Sequence, residues 1–235
     1  MIGSVTYGTR LIHYSFERRS RNTLDISVTP DGAVVVAAPL DATDEEISDR
    51  VRRKGRWIGA QQRYFAQFRP RTTPRQWLPG ETHRYLGRQH RLRIGEPGSP
   101  IAVRRTRGLL IVDGIEFGDS AGLERVVQRW YRIQAHDIFT QRIERCLHRF
   151  DTASIAPSAV TVRSMTSRWA SMSAAGRLSL NPALVQASVD TIDYVITHEL
   201  AHRLEPHHGS EFWAVLDRVM PDHEQRKVRL ERMLA

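Results

Sequence analysis

The sequence predicts an α+β fold: a β-rich N-terminal region with one long helix over residues 1–118, then a mainly helical domain with a small sheet over residues 119–235. Three observations carry that prediction. Leu24, Ile26 and Val28 alternate with polar residues ahead of the turn signal Pro30-Asp31-Gly32 and the apolar run Ala33 to Ala38, the period-two pattern of half-buried strands. Leu123, Val126, Val127, Trp130, Ile133, Phe139, Ile143, Cys146, Leu147 and Phe150 recur at helical spacing with no proline among them. The charge changes where the period changes. Up to Gly118 there are 20 Arg/Lys against 12 Asp/Glu, net +8, and beyond it 15 against 14, net +1.

Taken in order, residues 10–39 read as strands, most simply a hairpin. Thr43 with Glu46 has the spacing of a capping box, and Ile47, Val51, Ile58, Phe65 and Phe68 form a helical stripe that ends before Pro70. Residues 70–80, rich in Pro and Arg, read as a loop, with short strands after it at 82–94, 101–105 and 108–112. Beyond the long helix, strands are expected at 159–163 and 177–181, the second leading into a short helix that opens at Pro182. Asp190 is placed to cap a helix over residues 192–204, Ser210 another that runs to Met220, and Pro221 separates that one from a terminal helix. No internal repeat or low-complexity segment is visible.

Composition narrows the function. With 235 residues, 40% hydrophobic and 26% charged, the chain needs neither a disulfide framework nor a structural metal to close a core, so a metal site would be functional. The lone Cys146 suits a reducing compartment. The start MIGSVTYGTR has no signal-peptide pattern, and the longest apolar run, Ala33 to Leu40, falls short of the ~20 residues of a membrane span. No membrane association and a cytoplasmic location are therefore expected. The arginine clusters Arg18, Arg19 and Arg21, Arg50 to Arg56, and Arg104 to Arg107 suit either a phosphate-attracting surface or a set of solvated faces. They come with no nucleic-acid-binding signature.

Chemistry concentrates at Thr197-His198-Glu199-Leu200-Ala201-His202, an H-E-x-x-H pattern inside a predicted helix. Four-residue spacing stacks His198 and His202 on one helix face, where two imidazoles reach one zinc ion. Glu199 stands beside that position without having to bind it, and can take a proton from zinc-activated water. Tyr194, Val195, Ile196, Leu200 and Ala201 make the helix apolar, and buried His and Glu need partners. Pro206 turns the chain just before His207 and His208, so four of the ten histidines fall within eleven residues and a third ligand is at hand. Spacing alone does not choose between His207 and His208. The interval from His198 to His208 also fits the metzincin pattern, but Glu205 stands where that pattern requires glycine, and no methionine turn follows.

These residues resemble the YgjP-like zinc metallopeptidases, relatives of the SprT-type proteins. The resemblance rests on Met165 to Ser173 (MTSRWASMS), Gly176 to Asn181 (GRLSLN), Ile192 to His202 (IDYVITHELAH), His208-Gly209, Phe212-Trp213 and Met220-Pro221, with weaker matches at Val51 to Ile58, Tyr85-Leu86-Gly87 and Trp130-Tyr131. It implies a zincin-like catalytic domain in which His198, His202 and His208 bind Zn2+ and Glu199 is catalytic, and it favours His208 over His207 as the third ligand. The family's RWGSCS segment reads Arg168-Trp169-Ala170-Ser171-Met172-Ser173 here, with alanine and methionine replacing glycine and cysteine. Arg168 and Trp169 are then candidates for substrate contact or for an Arg-Trp stack, and Tyr194, Arg168 or His207 for a polar donor to the reacting carbonyl. The leading expectation is a zinc-dependent peptidase acting on a protein or peptide substrate. Two competing expectations are a metal-dependent nucleotide phosphohydrolase using the basic N-terminal half, and a DNA-associated protein-binding module with a structural zinc site.

Overall fold

The structure is a computed structural model and describes residues 1–29, 31–66, 75–165 and 168–234. Phe68 and Pro70, Pro30 of the expected turn and residues 70–74 of the expected loop lie outside these. The fold is α+β, as predicted. The described residues form two compact units, Met1–Thr72 and Thr73–Leu234.

In the first unit β1 (Ile2–Tyr7), β2 (Arg10–Arg19), β3 (Asp25–Val28) and β4 (Val34–Pro39) make one sheet in the order β1-β2-β4-β3. The β1/β2 and β3/β4 pairs are antiparallel hairpins, and β2 joins β4 in parallel. The expected single hairpin is therefore one half of the sheet. Alternation puts Val5, Ile12, Tyr14, Phe16, Val34, Val36 and Ala38 on one buried face, against Ile47 and Val51 of α1 (Asp44–Arg53) and Ile58 of α2 (Gly55–Ala66). The Thr43/Glu46 capping box is present, with Glu46 N–H donating to Thr43 Oγ1 at 3.2 Å and Thr43 N–H to Glu46 Oε2 at 2.9 Å. The long helix expected here is broken at Lys54. Gly55 opens the second segment, where a β-carbon would lie 2.3 Å from the Tyr7 ring, so only glycine lets the helix cross there.

In the second unit β5 (Thr82–Tyr85), β6 (Arg88–Ile94), β7 (Ala102–Thr106) and β8 (Leu109–Asp113) repeat that topology, in the order β5-β6-β8-β7 with β6/β8 parallel. No sequence repeat announces this, because strand order follows from alternation and turn placement rather than residue identity. The inner face of the sheet (Tyr85, Leu92, Leu110, Val112) packs on Leu123, Val127 and Tyr131 of the 28-residue helix α3 (Ser120–Leu147). For that reason the division of contacts falls between Thr72 and Thr73, not at the 118/119 boundary that charge suggests: the second sheet shares its core with the helices that follow.

Farther along, Ala135, Phe139, Ile143 and Cys146 of α3 join the core of a third sheet, order β10-β11-β9, formed by β9 (Ala159–Val162), β10 (Ala170–Met172) and β11 (Arg177–Leu180). A 3₁₀ turn (Pro182–Gln186) then leads into α4 (Val189–Ala201), α5 (Ser210–Val219) and α6 (His223–Leu234). Two expected caps differ. Ser188, not Asp190, is the N-cap of α4, since the Asp190 carboxylate is taken up by Ser188 Oγ and Arg229. Gly209 precedes α5, because Ser210 Oγ turns instead to Glu211 Oε2 at 2.9 Å. Strands β1 and β10 were not expected from the sequence. No described helix is long and apolar enough to cross a membrane.

Candidate metal centre

Helix α4 is almost wholly buried and is fixed from one side by charge. Asp193, 4% exposed, receives Arg142 Nε at 2.6 Å and Nη2 at 2.5 Å, with Arg149 at 3.7 Å. Breaking so buried a pair would leave an unpaired charge. Cys146 lies in the same interface with its thiol pushed up to about 11 by burial, too high for a nucleophile at neutral pH.

One turn on, α4 brings His198, Glu199 and His202 together. Hydrogen bonds from Arg203 N–H to the Leu200 carbonyl and from Leu204 N–H to the Ala201 carbonyl, each 3.0 Å, tighten the helix end. The helix therefore stops at Ala201 rather than at 204, and the returning chain places His208 over the pair. The ligand atoms of His198, His202 and His208 lie within 4.8 Å of one another, with the two Nε2 atoms of His198 and His208 2.9 Å apart. His202 donates Nδ1–H to the Glu205 carbonyl at 3.1 Å, which leaves its Nε2 as a lone-pair donor. His198 Nδ1 is buried with no hydrogen-bond partner. Burial, and then the neighbouring His202 and His208, push the His198 imidazole down to about 3, so the ring is neutral.

Phe212 of α5 lies behind all three rings, stacked on His202 at 4.6 Å and edge-on to His198 and His208 at 4.9 and 4.7 Å. Trp213 lies beside His208 at 5.8 Å and stacks on His223, whose Nε2 contacts Asp217 at 2.8 Å. Sequence spacing does not assign this aromatic backing, although Phe212 and Leu216 form the buried stripe of an amphipathic helix.

Glu199 is buried, and desolvation raises its carboxyl to about 7 against opposing pulls from the Met172 backbone and the Arg168 guanidinium. The segment that carries Arg168 is held by Asn181, whose Nδ2 donates to the carbonyls of Met165 at 2.8 Å and Arg168 at 3.1 Å; Asn181 N–H donates to the Trp169 carbonyl at 2.8 Å. Trp169 packs on the core and makes no cation–π contact with Arg168 among the described residues. Tyr194 is buried, its ring 5.9 Å from His198, and burial raises its phenol. His207 is exposed and outside the histidine cluster. Some arginines of the sequence clusters are spent on carboxylates: Arg18 on Asp44, Arg52 on Asp49 and Arg104 on Asp113.

Fold and site together define an α+β protein with a helix-borne H-E-x-x-H and a third histidine after a turn. The family described as YgjP-like, metallopeptidase domain, matches residues 22–233, and the chain belongs to that family. No curated protein matches it. Among solved structures it is similar to the metallopeptidase zymogen of Pyrococcus abyssi abylysin, at 22% identity over 38% of this chain and 87% of that one, with a TM-score of 0.33, too slight to bear on the chemistry.

Proposed function

We propose that this metallopeptidase-family protein is a zinc-dependent peptidase, with His198, His202 and His208 as metal ligands and Glu199 as general base. The observation that carries this reading is the convergence of three imidazole nitrogens, one fixed in its tautomer by the Glu205 carbonyl, beside a buried carboxylate. Three nitrogen donors suit zinc and leave a coordination position open, the arrangement of catalytic rather than structural sites. Zinc bound there supplies Lewis acidity toward water and the scissile carbonyl.

The remaining steps fall to the chain itself. Glu199 accepts the proton of the attacking water and returns it to the departing amine. Arg168, which bears on the same carboxyl, and Tyr194 are the polar groups available to a carbonyl oxygen that gains negative charge. β10 is an edge strand beside Glu199, so an extended peptide can pair with it and present a backbone carbonyl to the site. Ala170 and Met172 on that strand would then tune which side chains fit.

Glu199→Gln is expected to keep stoichiometric zinc and lose about 10²–10⁴-fold in peptide hydrolysis, whereas His202→Ala loses the metal. Metal analysis of purified protein together with a casein or peptide-library assay checks both. Protein that binds no zinc, or a Glu199→Gln variant of full activity, would overturn the reading.

A further inference from the structure

Away from the histidines, the second unit carries a groove of about 420 Å³ between β7 and α3. β7 is an edge strand, and Thr106 and Leu109 flank its two-residue turn. Residues that flank such a turn exchange both backbone hydrogen bonds. Counting back, Thr106, Arg104 and Ala102 bond to β8, while Val103 and Arg105 present N–H and C=O groups to the open edge. Val103 pairs with Val112 and Arg105 with Leu110, both buried, so these two side chains point to the α3 side of the sheet.

The floor of the groove is Val103, Val126 and Trp130, each half-buried, and its lips are Ile101 and Ile133, which are 65% and 52% exposed. Arg125 and Arg129 stand one turn apart on the exposed rim, and Arg105 covers the Tyr85 ring at 4.9 Å, itself 5.0 Å from Trp130. None of these three arginines has a carboxylate within 4.0 Å among the described residues, in contrast to Arg104, which is paired to Asp113. The acid of this helix that bears on Tyr85 is Asp137, beyond Ile133.

We propose that this groove binds an extended acidic segment of a protein partner, added to β7 as a fifth strand. Its backbone meets the open edge at Val103 and Arg105, and every second side chain faces α3, where aliphatic ones meet the floor and the carboxylates among them meet Arg125, Arg129 and Arg105. Strand addition supplies affinity through the main chain and specificity through alternate side chains. An apolar floor whose Trp130 ring is half-buried against Tyr85, with three cations, suits such a segment better than a nucleic acid, which needs a denser row of cations and open aromatic faces. The proposal does not depend on the peptidase reading.

Fluorescence anisotropy of the full chain tests it with a labelled ten-residue peptide, Glu-Thr-Val-Thr-Glu-Thr-Leu-Thr-Glu-Thr, whose Glu, Val and Leu share one face of an extended strand. Saturable binding is expected, weakened at least tenfold by replacing Glu with Lys in the peptide and by N-methylating alternate backbone amides. The double variant Arg125→Glu/Arg129→Glu is expected to weaken it similarly with an unchanged melting temperature, and Ile133→Ser, which leaves the charge intact, to weaken it less. Absence of saturable binding, indifference to peptide charge, or an unaffected double variant would overturn the proposal. So would tighter binding of a single-stranded oligonucleotide, which would assign the groove to nucleic acid. A concentration-dependent dimer in sedimentation that the double variant abolishes would also overturn it, by assigning the groove to a second copy of the chain.

Discussion

The two four-stranded sheets share strand order, pairing and the register of their first turn, yet they do different work. In the first, Tyr7 pairs with Arg10 across the turn Gly8-Thr9; in the second, Tyr85 pairs with Arg88 across Leu86-Gly87. Two residues farther from each turn stands a buried cross-strand pair, Val5 with Ile12 in one sheet and His83 with His90 in the other. The first turn is open around Gly8, where a β-carbon would meet nothing within 4 Å. The second is docked: Leu86 N–H donates to the Val185 carbonyl at 2.9 Å and Gly87 N–H to the Gln186 carbonyl at 3.2 Å, in the 3₁₀ turn that precedes α4. One sheet closes a small apolar core with two short helices, whereas the other is built into the support of the helix that carries the histidines. Topology alone therefore does not say which sheet serves the site; the side chains facing inward and the atoms meeting the turn do.

The largest expected effect comes from cutting that support at α3. Phe139, fully buried, belongs to the core that α3 shares with α4. Phe139→Ala is expected to destabilise the second unit by about 4 kcal/mol, and retention of the zinc proposed for the site is expected to fall with it on heating. Calorimetry in parallel with metal analysis checks this; a stable variant that still drops its zinc would show that α3 positions the site without carrying its stability.

The histidine pair offers the next break. Burial, and then Arg75 2.9 Å from its Nδ1, push the His83 imidazole down from 6.5 to about 4, with Glu81 3.7 Å from Nε2 and the Trp77 ring 5.2 Å away. The folded state holds this ring neutral while the unfolded chain protonates it near 6.5. Stability is thus full above that value and is lost as pH falls toward 4, by about 3 kcal/mol at most. His83→Val, which copies Val5 of the first sheet, is expected to flatten urea-denaturation midpoints between pH 6.5 and 4. An unchanged slope would pass the acid sensitivity to other histidines that burial lowers, among them His90 and His198.

Much of this was legible in the sequence, and the misses share a cause. Alternation and helical spacing report what a segment buries, so most strands, the long α3 and the H-E-x-x-H helix could be placed. The Thr43/Glu46 box could also be read, because its partners are three residues apart. What failed depends on partners distant in sequence. β10 has only three residues and takes its identity from pairing with β11. Asp190 is a good cap by type but is claimed by Arg229. The helix breaks at Lys54, and Gly55 after it is required by the distant Tyr7 ring, which leaves no room for a β-carbon. At the site, four-residue spacing brings His198 and His202 together but leaves His207 and His208 level; the family resemblance favours His208, and that is the histidine the cluster contains.

The two turns separate further by a matched substitution. Gly8 has φ 59° and Gly87 φ 79°, so alanine at either pays the left-handed penalty of about 1–2 kcal/mol. At Gly87 the new β-carbon would also lie 2.9 Å from Ser188 Cβ, at the cap of α4. Gly87→Ala is expected to cost about 2 kcal/mol and to weaken zinc affinity, and Gly8→Ala about 1 kcal/mol with zinc affinity unchanged. Equal costs and equal affinities would mean that the second turn only touches α4 without supporting it.

The smallest expected effect asks what holds one helix of each unit's core in place. α1 is capped locally by Thr43, whereas α4 has Ser188 at its N-cap with no side-chain cap bond and draws on Arg226 and Arg229 of α6 through Asp190. Thr43→Ala leaves the Glu46 N–H without its acceptor and is expected to lower the first unit's stability by about 1 kcal/mol, restored by Thr43→Ser, as read from urea titrations. Zinc affinity should not move. If Thr43→Ala costs nothing, burial of Ile47 and Val51 against the sheet suffices to hold α1, and both helices then depend on tertiary packing alone.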